Sequence, residues 1–194
     1  MTTIGFVRHG ITDWNIERRA QGQTDIPLNE TGRAQARALA ARLKNERWDA
    51  VYASDLSRAR ETAETIAAAL GLTVRVDPRL REIHCGQIEG TVEEDRVLRW
   101  GYDWAKLDLG IETDDSMIAR GMEAVMDICA SHPEDRVLVV SHGALIGTLL
   151  PVLIPHTDTS EHLHNTSITV IRKIEESWEC GLFNCVKHLE QLTI

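Results

Sequence analysis

Basic residues are in short supply: 21 Lys and Arg stand against 30 Asp and Glu, a formal charge of −9 over 194 residues. Such a balance opposes broad attraction to nucleic acid or to an anionic membrane, so a DNA-wrapping protein is excluded and neither partner is expected. Long apolar runs are missing as well. The longest, residues 144–154, is interrupted by Gly147, Thr148 and Pro151 and falls far short of the ~20 residues that cross a bilayer. No basic segment and no small-residue cleavage site open the chain, so no secretory leader is expected. Cysteine is sparse: Cys85, Cys129, Cys180 and Cys185 are scattered rather than dense, and they read as free thiols of a cytoplasmic protein. Internal repeats, linkers and low-complexity tracts are absent. What remains is the composition of an ordinary globular domain, 43% hydrophobic and 26% charged, long enough to bury a core without disulfides or a structural metal.

Periodicity sets the order of elements. Residues 4–7 read as a short buried strand ending at Arg8-His9-Gly10, followed by a long polar loop to Asn29, and loops of that length in a compact domain are commonly functional. A helix is expected over 31–44, a strand over 50–53, a helix from Ser57 to a stop at Gly71, and a strand over 73–76. Further on come a helix over 117–130, a strongly apolar strand over 137–140, a helix over 144–152, and strands over 167–171 and about 178–186. Strands alternating with helices predict a three-layer α/β/α sandwich with a mostly parallel sheet. The stretch 83–116 is the least regular and reads as a short cap insertion within one domain spanning 1–194. Its Trp100, Tyr102 and Trp104 fit a satellite core and a substrate-facing role equally well.

In open α/β sheets ligands sit beyond the carboxyl ends of the strands. That rule gathers Arg8 and His9, the 54–58 segment with Arg58, Glu82, and Ser141-His142-Gly143 on one edge. Two Arg, two His and one Glu suit phosphoryl transfer. The guanidinium fork of Arg8 and of Arg58 matches phosphate oxygens. Arg58 lies in the first turn of its helix, where free N–H groups favour an anion, and His142 precedes another helix start. His9 is the preferred nucleophile, its second nitrogen held as N–H by a carbonyl of the His9-Gly10 turn. Glu82 is the candidate to protonate the leaving oxygen and then to deprotonate water. The bland alternatives are a turn-closing His9, an ordinary polar cluster at His142 and Arg58, and a solvated carboxylate at Glu82.

The run Arg8-His9-Gly10-Ile11-Thr12-Asp13-Trp14-Asn15 resembles the opening signature of the histidine phosphatase superfamily, in the branch of phosphoglycerate mutase and its phosphatase relatives. Gln21-Gly22, Asp25-Ile26-Pro27-Leu28, Gly32 with Gln35-Ala36, Ser54-Asp55-Leu56-Ser57-Arg58-Ala59, Leu80-Arg81-Glu82 with Gly86 and Glu89-Gly90, and Val140-Ser141-His142-Gly143 follow in the family's order. The resemblance implies that His9 is phosphorylated, that Arg8, Arg58 and His142 bind the phosphoryl group, and that Glu82 donates the proton. It also implies that Thr12, Asn15, Gln21 and Gly22 line the phosphate or substrate site, with no metal and no organic cofactor. The expected partner is a small phosphorylated metabolite.

Departures from the mutase pattern point toward phosphatase. Mutases of this branch carry Tyr where Cys85 stands, Lys where Glu93 stands, Asn where Ala144 stands, and a longer insertion with an Arg pair. Leu80-Arg81-Glu82-Ile83-His84 is close to the broad-specificity phosphatases. A mutase must keep its phosphorylated intermediate away from water, whereas a phosphatase must admit water. The alternatives are a phosphoglycerate mutase and a catalytically silent phospholigand-binding module. Elsewhere, residues 156–164 have ligand types without zinc spacing and read as a solvated loop, and Cys180 and Cys185 read as inert. Trp14 is expected to pack the front loop, and Ile11 stands where the family often has Glu.

Overall fold

A computed structural model describes residues 1–190 and Leu192. Its sheet has six strands in the order β3-β2-β4-β1-β5-β6, formed by β1 (Thr3–Arg8), β2 (Ala50–Ala53), β3 (Val74–Val76), β4 (Arg136–Ser141), β5 (Ile168–Ile174) and β6 (Ser177–Cys185). The pairs β1/β4, β2/β4 and β2/β3 are parallel, while β5 and β6 run antiparallel at one edge. β1 and β4 lie side by side in the middle, in a register that sets Arg8 opposite Ser141. The next residue of each strand is a histidine.

Period-two alternation divides the core into two layers. Ile4, Phe6, Val137 and Val139 pack against α5 (Asp114–Ser131) and α6 (Gly143–Leu153) on one face. Val7, Val51, Leu138 and Val140 pack against α2 (Glu30–Leu43) and α3 (Ser57–Leu70) on the other. The expected three-layer arrangement is therefore present, with the strand and helix bounds shifted by one to three residues at most of the expected positions. Local signals explain the ends: Asn29 caps α2 through Gly32 N–H, and Gly71 closes α3 in the left-handed conformation.

Two helices fall where the sequence promised irregular chain. α1 (Asp13–Ile16) is a single turn closed by a capping box between Thr12 and Asn15. α4 (Glu93–Trp100) opens with three acids, suited to a helix N-terminus, and ends at Gly101. It belongs to the segment between β3 and α5, which builds a satellite core from Cys85, Ile88 and Leu109 with Trp100 and Trp104 against it. Tyr102 stays out, 92% exposed. Two of the three aromatics thus serve packing. No helix among the described residues is long and apolar enough to cross a membrane.

Candidate active site

The first strand delivers Arg8 and His9 to the carboxyl edge of the sheet, and both are buried there. His9 Nδ1 lies 2.7 Å from the carbonyl of Gly10. A carbonyl only accepts, so Nδ1 carries the proton and Nε2 presents its lone pair. The turn is fastened from below: Gly10 N–H donates to Thr62 Oγ1 at 3.1 Å, and that hydroxyl donates to Arg58 O at 2.7 Å. A Cβ on Gly10 would stand 2.6 Å from Gly32 O, and one on Gly32 would stand 2.2 Å from Ile11 O. Two glycines back to back let the N-terminus of α2 press on the histidine turn, an approach no larger residue allows.

His142 is the residue that precedes α6, fully buried, with its ring centroid 5.2 Å from that of His9 and the planes inclined by 59°. Neither of its ring nitrogens has a hydrogen-bond partner among the described residues. Burial first, and then the positive charges of Arg58 and Arg8, hold the His9 imidazole well below the ordinary histidine range; His142 is lowered by burial, Arg58, His9 and Arg8. Both rings are therefore neutral at pH 7. The positive potential comes from the arginines rather than from the histidines.

Arg58 is completely buried in the first turn of α3. Its Nη1 donates to Thr24 O at 2.9 Å and its Nη2 to Gly22 O at 2.8 Å, while Nε has no partner among the described residues. Arg8 Nη1 donates to Leu163 O at 2.5 Å and lies 3.1 Å from His162 Nε2, again with Nε unpartnered among those residues. Buried N–H groups without an acceptor cost free energy unless an anion or water serves them. Burial lowers the proton affinity of both guanidiniums and the nearby Glu82 carboxylate raises it.

Glu82 sits across the first turn of α6. Its Oε1 accepts from Ile83 N–H at 3.0 Å and Leu145 N–H at 3.1 Å, and its Oε2 accepts from Ala144 N–H at 3.2 Å. The loop behind it is fixed by Arg120 of α5, which donates to the carbonyls of Arg79, Arg81 and Glu82 and pairs with Glu112. That pairing pulls the Glu112 carboxyl down to about 2. Arg81 forms a bidentate pair with Asp55, joining the Glu82 loop to the segment that leads into α3.

The expected substrate-lining residues are all nearby in a connected network. Thr12 Oγ1 donates at 2.9 Å to Gln21 Oε1, and Asn15 Oδ1 accepts from Asn165 Nδ2 at 3.3 Å. Gly22 contributes its carbonyl to Arg58 and has a left-handed φ of +51°. A Cβ at Gly22 would meet the Glu89 carboxylate at 2.3 Å. Burial pushes the Glu89 carboxyl up, but hydrogen bonds from Thr24 Oγ1 and from the N–H groups of Gln23 and Cys85 outweigh it and hold it below its ordinary value.

The loop over 156–164 is largely exposed, as read from sequence, but it also carries contacts to the site: Leu163 is buried and its carbonyl receives Arg8, while Asn165 Nδ2, just beyond it, donates to His9 O at 3.0 Å. These contacts use backbone carbonyls more than 150 residues from their donors, for which no local pattern exists. Arg120 was missed because it too acts on backbone carbonyls, 38–41 residues away, and Glu112 because its role is to pair with Arg120. Arg18, Arg19 and Arg96 also reach the rim of the site, where they line a cavity with Arg8, Ile11 and Trp14. Trp14 packs as expected, under Arg19 and beside Gly90.

Four charged or ring side chains converging on one buried imidazole can grip a tetrahedral oxyanion and present a nucleophilic nitrogen to it. Known proteins resemble the chain over most of its length. The family model for the histidine phosphatase superfamily, branch 1, matches residues 4–186. Phosphoglycerate mutase-like protein 4 of Arabidopsis thaliana is 38% identical, over 97% of this chain and 87% of its own length. The uncharacterized phosphatase PhoE of Bacillus subtilis is 35% identical, over 97% of each chain. A mycobacterial glucosyl-3-phosphoglycerate phosphatase, solved as a complex with VO3, superposes with a TM-score of 0.85 at 31% identity, over 94% of this chain and 99% of that one. The chain belongs to branch 1 of the histidine phosphatase superfamily.

Proposed function

We propose that this protein hydrolyses small phosphomonoesters through a phosphohistidine on His9. The observation that carries the reading is the neutral, buried His9 ring, its Nδ1–H held by Gly10 O, with the unpartnered N–H groups of Arg8 and Arg58 and the bare His142 ring around it. His9 Nε2 attacks phosphorus as the ester P–O bond breaks. Arg8 and Arg58 hold the equatorial oxygens, and His142 donates from one ring N–H to a third. Glu82 gives its proton to the departing oxygen; Oε2 accepts a single hydrogen bond among the described residues, which leaves a lone pair for that proton. The resulting carboxylate then takes a proton from water, the hydroxide attacks phosphorus, the P–N bond breaks, and neutral His9 and inorganic phosphate result. One group serves both half-reactions, a role worth ~10²–10⁴ in rate.

Hydrolysis rather than phosphoglycerate mutation is supported by Glu93. It stands where mutases carry Lys, and it is engaged with Trp104 Nε1 at 2.8 Å and with Arg96 at 3.3 Å. The phosphatase names of the Bacillus and mycobacterial relatives support the same reading. The test is release of phosphate from p-nitrophenyl phosphate and a panel of sugar phosphates and phosphoglycerates, in EDTA, with trapping of an acid-labile, base-stable phosphoenzyme. Turnover and trapping that vanish in His9→Ala support the proposal. Interconversion of 2- and 3-phosphoglycerate without phosphate release would replace it with the mutase reading, and binding without either would leave a silent module.

A further inference from the structure

The acceptor that holds Arg8 is the carbonyl of Leu163, in the largely exposed loop between α6 and β5. A guanidinium that must meet a phosphoryl group is only as well aimed as the group that fixes it. Arg8 Nη1 also lies 3.1 Å from His162 Nε2, and a guanidinium only donates, so that ring nitrogen carries the lone pair. Both acceptors therefore come from one dipeptide, His162-Leu163, while Arg8 Nε stays without a partner among the described residues.

That dipeptide is gripped by the last strand of the sheet. Asn184 Nδ2 donates to His162 O at 3.0 Å, and Asn184 Oδ1 accepts from His164 N–H at 3.0 Å. One side-chain amide thus brackets Leu163 on both sides. Asn184 is itself 6% exposed, and its own N–H donates to Thr169 Oγ1 of β5 at 3.0 Å. The register of β5 with β6 explains how the side chain comes to lie there. Ile168 pairs with Cys185 and Val170 with Leu182, so β6 takes three steps against two on β5 and carries one extra residue. Asn184 lies within that bulge at φ +45°, in the left-handed region that asparagine tolerates better than most side chains. Bulges re-aim a side chain out of the alternation of its strand, and here both ends of the amide engage the loop.

We infer that Asn184 is a positioning residue for Arg8: by fixing the carbonyl of Leu163 it fixes the plane of the guanidinium that receives the phosphoryl oxygens. The positioning follows from geometry, and its consequence for turnover rests on the phosphatase reading above. Asn184 acts through Leu163 and Arg8 and touches no reacting atom. Aspartate at this position keeps the acceptor for His164 N–H but has no donor for His162 O, and glycine adopts the left-handed backbone while gripping nothing.

The experiment measures the dissociation constant of orthovanadate by calorimetry, which needs no turnover, together with kcat/KM for p-nitrophenyl phosphate. In Asn184→Gly vanadate binding is expected to weaken about tenfold, and in Asn184→Asp, which covers the case of a glycine variant that does not fold, about fivefold. In an Arg8→Lys background, where the fork is gone, the same changes are expected to shrink to within about twofold. Thr169→Val removes the acceptor of Asn184 N–H and leaves both loop contacts, so it is expected to lower the urea midpoint and leave vanadate binding unchanged. In the Asn184 variants kcat/KM should fall in parallel with vanadate affinity. Vanadate binding unchanged in both Asn184 variants overturns the inference. A loss of equal size in the Arg8→Lys background also overturns it, since Asn184 then acts on the fold rather than through Arg8. Vanadate binding without turnover of any ester sinks the phosphatase reading, and the cycle with Arg8→Lys still decides the role of Asn184.

Discussion

The Arg120 guanidinium donates to the backbone carbonyl of Glu82 at 3.1 Å and, with the same fork, to Arg79 O and Arg81 O. One side chain therefore sets the path of the loop that aims the proposed proton donor. Lysine cannot reproduce a planar fork with several donors. In Arg120→Lys, kcat is expected to fall about tenfold or more with a smaller change in KM, because Glu82 loses aim while the oxyanion site persists. In Arg120→Ala the half-buried Glu112 is also left unpaired, at a cost of about 2–4 kcal/mol in urea denaturation. A kcat unchanged in Arg120→Lys would show that the loop holds its course without the fork.

Glu82→Gln removes the exchangeable proton while keeping a side chain of the same shape. Loss of ~10²–10³ in kcat/KM is expected for alkyl phosphates, whose leaving oxygens need protonation, and a much smaller loss for p-nitrophenyl phosphate. Steady-state kinetics on the two ester classes check this. Equal losses would assign Glu82 a binding role only.

Stability is expected to depend on pH through His9 and His142, both held neutral by burial and by the neighbouring arginines. Their folded-state proton affinity is depressed, so their contribution is complete above the unfolded value of ~6.5 and shrinks as pH falls below it. Each such group contributes up to ~1.4 kcal/mol per pH unit in that range. Glu112, lowered to about 2 chiefly by Arg120, adds a further loss as pH falls through the ordinary carboxylate range toward 2. Urea midpoints between pH 8 and 5 check the first window. In His142→Ala the slope there should be shallower.

The contact of Gly10 with Gly32 allows a purely steric test. Gly32→Ala drives a methyl group to 2.2 Å from Ile11 O, so the histidine turn or the start of α2 must shift. Destabilisation of about 1–3 kcal/mol is expected, as for other overpacked sites, together with reduced kcat. Gly71→Ala, where a Cβ meets nothing within 4 Å, is the control for strain without crowding; it should cost stability and spare turnover.

Much of this was legible in the chain, for identifiable reasons. β2 and α3 coincide with their expected bounds because Ala50–Ala53 is a continuous small apolar run and Gly71 supplies an unambiguous stop. Arg8, His9, Arg58, Glu82 and His142 were singled out because Arg8 ends β1, His9 and His142 directly follow β1 and β4, Arg58 lies in the first turn of α3 and Glu82 comes soon after β3, and topology brings such positions together. α4 escaped because its residues are mainly charged and its apolar face, unlike that of α3, covers only a satellite core. Arg120 and Asn165 escaped because they act on carbonyls of distant segments, and a carbonyl carries no sequence signature. The rim arginines were visible as residues; only the hydrogen bonds that tie the turn after α1 to Gly90 and Thr91, just before α4, make them a group.

Pairing of β1 with β4 sets Arg8 against Ser141, so the two histidines are successors of matched residues. Their separation is consequently digital. A strand slides past its neighbour only in whole residues, and a one-residue slip turns every side chain to the opposite face. No series of small core substitutions can tune the His9–His142 spacing gradually. The sheet acts as a ruler with fixed graduations, and variation among substrates has to be sought in the rim, where side chains are free to change without moving it.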